Sequence, residues 1–187
     1  MPSLATVWRG VCARQDRGRA VDRESEPPLD AERILRALAE HSVDYVIVGG
    51  LAVQTHGHVR TTVDIDVCPR PERGNLTRLA DALNSLDAEI LNPGSDSLTI
   101  DATTFPRATL RQFATRHGAV DVLFDAPGAP PYDELRAGAL EIELGELRLA
   151  VAGRDDLISM KRASARPVDL EDLAVLTEPG AEDPAER

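Results

Sequence analysis

The chain has 187 residues, 42% of them hydrophobic, which suits one domain with a real core. Its net charge of −11, from 32 acidic against 21 basic residues, argues against a protein that coats nucleic acid through a broad positive surface. No apolar stretch approaches the roughly 20 residues of a membrane span, and Cys12 and Cys68 form neither a framework nor a CxxC pair, so the expectation is a soluble, cytoplasmic protein.

Residues 1–28 are rich in Arg, Asp, Glu and Ser, lack a sustained apolar period and end in Pro27-Pro28. They read as a disordered N-terminal tail, and Trp8 falls inside it. Residues 178–187 hold Pro179, Gly180, Pro184 and mostly acids, and read as an acidic C-terminal tail. The domain then occupies 29–177.

Within it, Asp30 caps a helix whose Ile34, Leu35 and Leu38 recur at helical spacing and which ends near His41. Tyr45 to Val48 reads as a buried strand, Leu51 to Thr55 as a short helix, and Val63 to Cys68 as a second strand. Asn75 to Leu86 follows as an amphipathic helix with Leu76, Leu79, Ala80 and Leu83 inward. A third strand runs from Val120 to Phe124, and Ala139 to Val151 alternates around Gly145 as a hairpin. Two helices close the domain, Asp155 to Ala163 and Val168 to Leu176, split by Pro167. The class is α/β or α+β with a mixed sheet. Arg107, Arg111 and Arg116 form a local positive run before the acidic stretch from Asp121 to Glu146, which reads as a solvated face.

The chemistry concentrates between Gly49 and Asp66. Two aspartates at i and i+2 on a strand, Asp64 and Asp66, point to one face and can share a divalent metal. Gly49 and Gly50 at a strand end let backbone approach a ligand closely, and their N–H groups with the following helix N-terminus can hold a triphosphate. Asp121 on the third strand can add a third carboxylate, giving a set that activates an attacking hydroxyl and neutralises a leaving pyrophosphate. Arg60 and Thr62 continue the alternate positions, so a guanidinium and a hydroxyl are expected on the phosphate side. Thr61 and Val63 then face away.

Lys161 is the only lysine in the chain. Where arginine fills every other basic position, a retained lysine suggests a site that needs a compact ammonium, such as a triphosphate contact. Asp169 can orient Arg166 or Lys161, or cap the helix after Pro167, and Asp172 lies one turn beyond it. His41, His56, His58 and His117 lack zinc-type spacing; His56-Gly57-His58 reads as a loop edge or a phosphate neighbour. Cys68 reads as a core thiol.

These residues resemble the polymerase beta-like nucleotidyltransferase superfamily, and within it the AbiEii/MenT-type toxins of toxin–antitoxin pairs. The likeness covers about residues 30–177. It is carried by Val48-Gly49-Gly50-Leu51-Ala52, by Arg60-x-Thr62-x-Asp64-x-Asp66, by His117-Gly118-x-Val120-Asp121-Val122-Leu123, and by Lys161 with Arg166-x-x-Asp169-x-x-Asp172-Leu173. The resemblance implies a small mixed sheet flanked by helices with a short C-terminal helical part. It also implies Mg²⁺- or Mn²⁺-dependent transfer of a nucleoside monophosphate from an NTP. The acceptor it implies is the 3′ end of tRNA, so that translation is blocked, with a cognate antitoxin as partner. By that mapping Asp64, Asp66 and Asp121 hold metal, Thr62 and Lys161 contact phosphate, Gly49, Gly50 and Arg60 line the nucleotide, and Asp169 supports Lys161. The chain departs from the pattern in being shorter than many members, acidic, and poor in aromatics, with one Trp, two Tyr and three Phe, so no base-stacking platform stands out. A small molecule or a protein as acceptor, or an idle binding module on the same fold, are the alternatives.

Overall fold

A computed structural model describes residues 27–58, 60–91, 99–105 and 109–178. Most of the expected N-terminal tail and nearly all of the C-terminal one lie outside the described residues, as do Arg107 and Trp8.

Helix α1, Ala31–Glu40, forms as its sequence dictates: Asp30 accepts the Arg33 amide at 3.2 Å as N-cap, and Ile34, Leu35 and Leu38 are fully buried. Burying each of these side chains is worth about 1.5–3 kcal/mol. Strand β1, Tyr45–Val48, is buried at every position because it runs through the centre of the sheet. Helix α2, Gly49–Thr55, begins two residues earlier than the pattern predicts, so the glycine pair forms its first turn rather than a loop before it. Strand β2 is Asp64–Pro69 and helix α3 is Arg73–Ser85.

Two strands and a helix escape the sequence pattern. Strands β3, Glu89–Ile90, and β4, Leu110–Thr115, extend the sheet beyond β5, Gly118–Leu123. Strand β4 carries polar residues and buries only Phe113 and Thr115 outright, so its sequence alone gives weak alternation. Helix α4, Tyr132–Ala137, is six residues long and buries only Leu135, too short to show a helical period. The hairpin is as expected: β6, Leu140–Leu144, and β7, Leu147–Val151, turn through Gly145 at φ 63°. Helix α5, Arg154–Ser164, precedes α6, Pro167–Leu176. Pro167 occupies the first turn of α6, where its missing N–H is no loss.

The sheet order is β3-β4-β5-β2-β1-β7-β6. Strands β2 and β5 pair in parallel, as do β1 and β7, and the remaining pairs are antiparallel. The expected mixed α/β architecture is therefore present. Helix α1 packs with α3, α2 lies against β1 and β2, and α5 packs on α6. No described helix is long and apolar enough to cross a membrane. Helix α2 also touches α5, so β1, β2, α2, α5 and α6 are neighbours.

Candidate active site

Sheet register builds one wall of the site. Asp66 pairs with Asp121 of β5 on one side and Val48 of β1 on the other, and Asp121 pairs with Gln112 of β4. Cross-strand partners share a face, so Gln112, Asp121 and Asp66 lie in one row. Asp64 stands two residues before Asp66 and so on the same face. Gln112 donates its amide to both Asp121 oxygens, at 3.2 and 3.0 Å, and the Thr62 hydroxyl donates to Asp64 Oδ1 at 3.2 Å.

The glycine pair is required by this wall. Gly49 has φ 64°, and a Cβ on it would collide with the Asp66 carboxylate. A Cβ on Gly50 would come within 2.7 Å of Thr62 Oγ1 and 2.9 Å of Arg60 Nη2. Only residues without side chains let the backbone pass this close to the acid and the guanidinium. The Gly50 N–H is also a hydrogen-bond donor to Asp66.

Electrostatically the wall is short of positive charge. Burial, then the neighbouring Asp64 and Asp121 carboxylates, push Asp66 up to about 8, against the opposing pull of Lys161 and the Gly50 amide. The same wall reaches Cys68, whose buried thiol is pushed up to about 12 by desolvation and by Asp66; it is a core thiol, as the sequence suggests. Hard oxygen donors with unbalanced negative charge fit a divalent cation in kind and in sign. Among the described residues no three His, Cys, Asp or Glu side chains form a ready-made cage. Mg²⁺ is ordinarily held by one or two carboxylates together with substrate phosphates.

Facing the wall is a second cluster, buried and densely paired. Asp169 and Asp172 lie three residues apart on one face of α6, both fully buried. Lys161 is 4% exposed, and its Nζ is 2.9 Å from Asp169 Oδ1 and 2.7 Å from Asp172 Oδ2. Arg60 donates twice to Asp172, Nε to Oδ1 at 2.7 Å and Nη2 to Oδ2 at 3.1 Å, and His58 Nδ1 lies 3.2 Å from Asp172 Oδ1. Arg166 caps α6 and donates Nε to Asp169 Oδ2 at 2.8 Å and Nη2 to Oδ1 at 3.2 Å. Burial alone would raise the Asp169 carboxyl, but its hydrogen bonds from Arg166, Lys161 and Ser164 hold it well below the usual carboxylate range. Because Gly50 abuts both Thr62, which bonds Asp64, and the Arg60 guanidinium, which bonds Asp172, wall and cluster are parts of one site.

The residues expected from sequence to hold nucleotide and metal therefore come together, with corrections of detail. Strand β2 starts at Asp64, so Arg60 and Thr62 precede it and do not continue its alternation. The Arg60 guanidinium is committed to Asp172 and the Thr62 hydroxyl to Asp64. Lys161 is not an open ammonium; two carboxylates enclose it. Sequence reasoning gave Gln112 no role, read His58 only as a loop edge or phosphate neighbour, and placed Arg166 and Asp172 only as neighbours of Asp169 in the motif that carries the resemblance. The signal for Asp172 was its i+3 spacing from Asp169; Gln112 had none, because its strand was not foreseen. His56 is buried, with Nε2 2.9 Å from the Ala152 carbonyl oxygen, a structural contact. Arg111 and Arg116 of the positive run hydrogen-bond to the Thr104 and Ser85 carbonyl oxygens, and Arg116 also pairs with Asp87.

The glycine turn follows β1, the acids stand on β2 beside it and on β5 beyond β2, and the lysine–carboxylate cluster lies across from them. The chain belongs to the family described as nucleotidyltransferase of unknown function (DUF6036), which matches residues 29–176. It is similar in fold to the antibiotic-resistance factor ANT(2″)-Ia solved in solution, at 19% identity and TM-score 0.50 over 78% of this chain and 79% of that one. The crystal structure of ANT(2″)-Ia in complex with adenylyl-2″-tobramycin matches at 17% identity and TM-score 0.50, covering 78% and 84%. The Thermotoga maritima protein TM1012, solved as a candidate nucleotidyltransferase, matches at 13% identity and TM-score 0.50, covering 81% and 95%. No curated protein matches the chain. The protein is thus an enzyme of the nucleotidyltransferase type.

Proposed function

We propose that the protein transfers a nucleoside monophosphate from an NTP to an acceptor hydroxyl, using Mg²⁺ or Mn²⁺ held by Asp64 and Asp66 with Asp121 completing the set. The observation that carries this reading is the run of carboxylates with too little positive charge around it, set against the Gly49-Gly50 turn. A divalent cation bound there would offset that charge and neutralise the triphosphate. The acceptor oxygen attacks the α-phosphorus, the bond to the bridging oxygen breaks, and pyrophosphate leaves with the electron pair. Asp121, held by Gln112, takes the hydroxyl proton. The glycine pair leaves room for the phosphates, Thr62 steadies Asp64, and Asp169 with Asp172 fixes Lys161 and Arg60 across from the wall.

For the acceptor, the sequence resemblance supports the 3′ end of tRNA and a toxin restrained by a cognate antitoxin, acting in the cytoplasm through residues 29–177 between two tails. A second reading, a small-molecule acceptor, is favoured by the charge of −11 and by the engagement of Arg111 and Arg116 with protein groups, which leaves RNA little to grip. ANT(2″)-Ia, similar in fold, is solved with an adenylylated small molecule. Incubation with each labelled NTP, Mg²⁺ and total tRNA tests both. Label on tRNA 3′ ends, lost in Asp64→Ala together with growth arrest on expression, supports the toxin. Pyrophosphate release that requires a small-molecule extract and leaves tRNA unlabelled supports the second reading. Neither label transfer nor NTP binding under any condition overturns both.

A further inference from the structure

The buried cluster holds two carboxylates, Asp169 and Asp172, and three permanent cations, Lys161, Arg60 and Arg166. One positive charge is therefore left over, and the three cations differ sharply in how far they can use it. The Lys161 side chain is 5% exposed and held by both acids, and Arg60 is 20% exposed and doubly bonded to Asp172. Arg166 is 59% exposed.

We propose that Arg166 is the residue that grips the triphosphate, and that Lys161 is a positioning residue that keeps Asp169 and Asp172 in place beneath it. This rests on the nucleotidyltransferase reading of the site and reassigns the phosphate contact within it. Asp169 holds two nitrogens of the guanidinium, Nε and Nη2, in a fixed plane, and Nη1 has no partner among the described residues. A guanidinium oriented in this way from behind presents its remaining N–H groups to an incoming phosphate with little further loss of side-chain freedom. Its position is right as well, since the cluster that holds it borders the glycine turn: Arg60, bonded to Asp172, lies against Gly50. Arg166 also stands at the N-terminus of the ten-residue helix α6, whose dipole adds to the attraction for an anion. Lys161 has one of its three N–H donors left after its two carboxylates, and little surface through which to offer it.

Calorimetric titration with Mg²⁺ and each of the four ribonucleoside triphosphates in turn, and with Mg²⁺-pyrophosphate, tests the assignment. Wild-type protein is expected to bind at least one triphosphate. Arg166→Gln should weaken that binding roughly tenfold to a hundredfold, the worth of a charge-assisted contact, while affinity for the matching nucleoside monophosphate changes little. Arg166→Lys, which keeps the charge and loses the fork, should fall between the two and provides the reading if the glutamine variant folds poorly. Triphosphate binding by both folded variants at wild-type strength overturns the assignment and leaves the nucleotidyltransferase reading standing. Failure of wild-type protein to bind any triphosphate or pyrophosphate overturns both.

Discussion

The acidic wall and the buried cluster opposite it are made of the same residue type in opposite circumstances. Asp66 has carboxylates as its nearest charged neighbours and is pushed up to about 8, whereas Asp169, more deeply enclosed, is surrounded by Lys161 and Arg166 and is held down. Burial penalises both charges alike, and partners decide the sign. The paired acids make a scaffold. Those of the wall form a site that wants a cation, and they are the ones beside which the backbone has been stripped to glycine.

The largest effect should come from breaking the scaffold. Asp172→Ala leaves Lys161 and Arg60 facing each other with one carboxylate gone, and loss of one partner from a buried pair costs about 3–5 kcal/mol. Denaturant unfolding should register that loss, while Asp64→Ala, which relieves repulsion in the wall, should leave stability unchanged or raise it in the absence of Mg²⁺. Equal destabilisation by the two substitutions would erase the distinction between the regions.

Next in size is Gly49→Ala. The added Cβ must both adopt a left-handed backbone and displace the Asp66 carboxylate, for a combined cost of about 2–4 kcal/mol. Thermal unfolding measures it, and nucleotide binding should fail with it.

The two regions should also titrate in opposite directions. Asp169 has a depressed folded-state pKa, so its contribution is fully present above the unfolded value near 4 and is lost as the pH falls through the folded one. Asp66 has a raised folded-state pKa of about 8; between about 4 and 8 the folded state binds more protons there than the unfolded chain, so stability falls as the pH rises. Melting curves across pH should show Asp66→Asn removing the decline between about 4 and 8 and Asp169→Asn removing the one at lower pH. Mg²⁺ should raise the melting temperature of the wild type at pH 8 and not that of Asp66→Asn.

The smallest effect lies in the turn that joins the cluster's two helices. Ala165 ends α5 at φ 50°, a conformation that costs an L-residue about 1–2 kcal/mol. Ala165→Gly removes that strain but adds freedom to the unfolded chain, so the expected gain is about 0.5 kcal/mol. A loss of stability would mean that the alanine methyl packs usefully in the turn.

Much of this was legible before any coordinates. Asp64 and Asp66 were readable as one face because strand period is local, the glycine pair because few other residues serve a close approach, and Lys161 because it stood alone in a chain of arginines. Helix α1 was readable because its cap and its three core residues all lie within one short segment. Strands β3 and β4 and helix α4 were not, since their residues become structural only through neighbours they pair with. With β4 unseen, Gln112 could not be placed beside Asp121.

The sequence by itself determined which groups the protein carries and which of them share an element: the acids of β2, the acid of β5, and the Asp169–Asp172 pair on one turn of α6. Periodicity of strand and helix is a local property, so it can be read locally. Only the tertiary structure decided which charges are satisfied. Arg60 reaches Asp172 across 112 positions of chain, Lys161 is enclosed rather than open, and Arg166 remains half in solvent. Those outcomes follow from packing and register, which set the distance between residues far apart in sequence and thereby the sign of every buried charge.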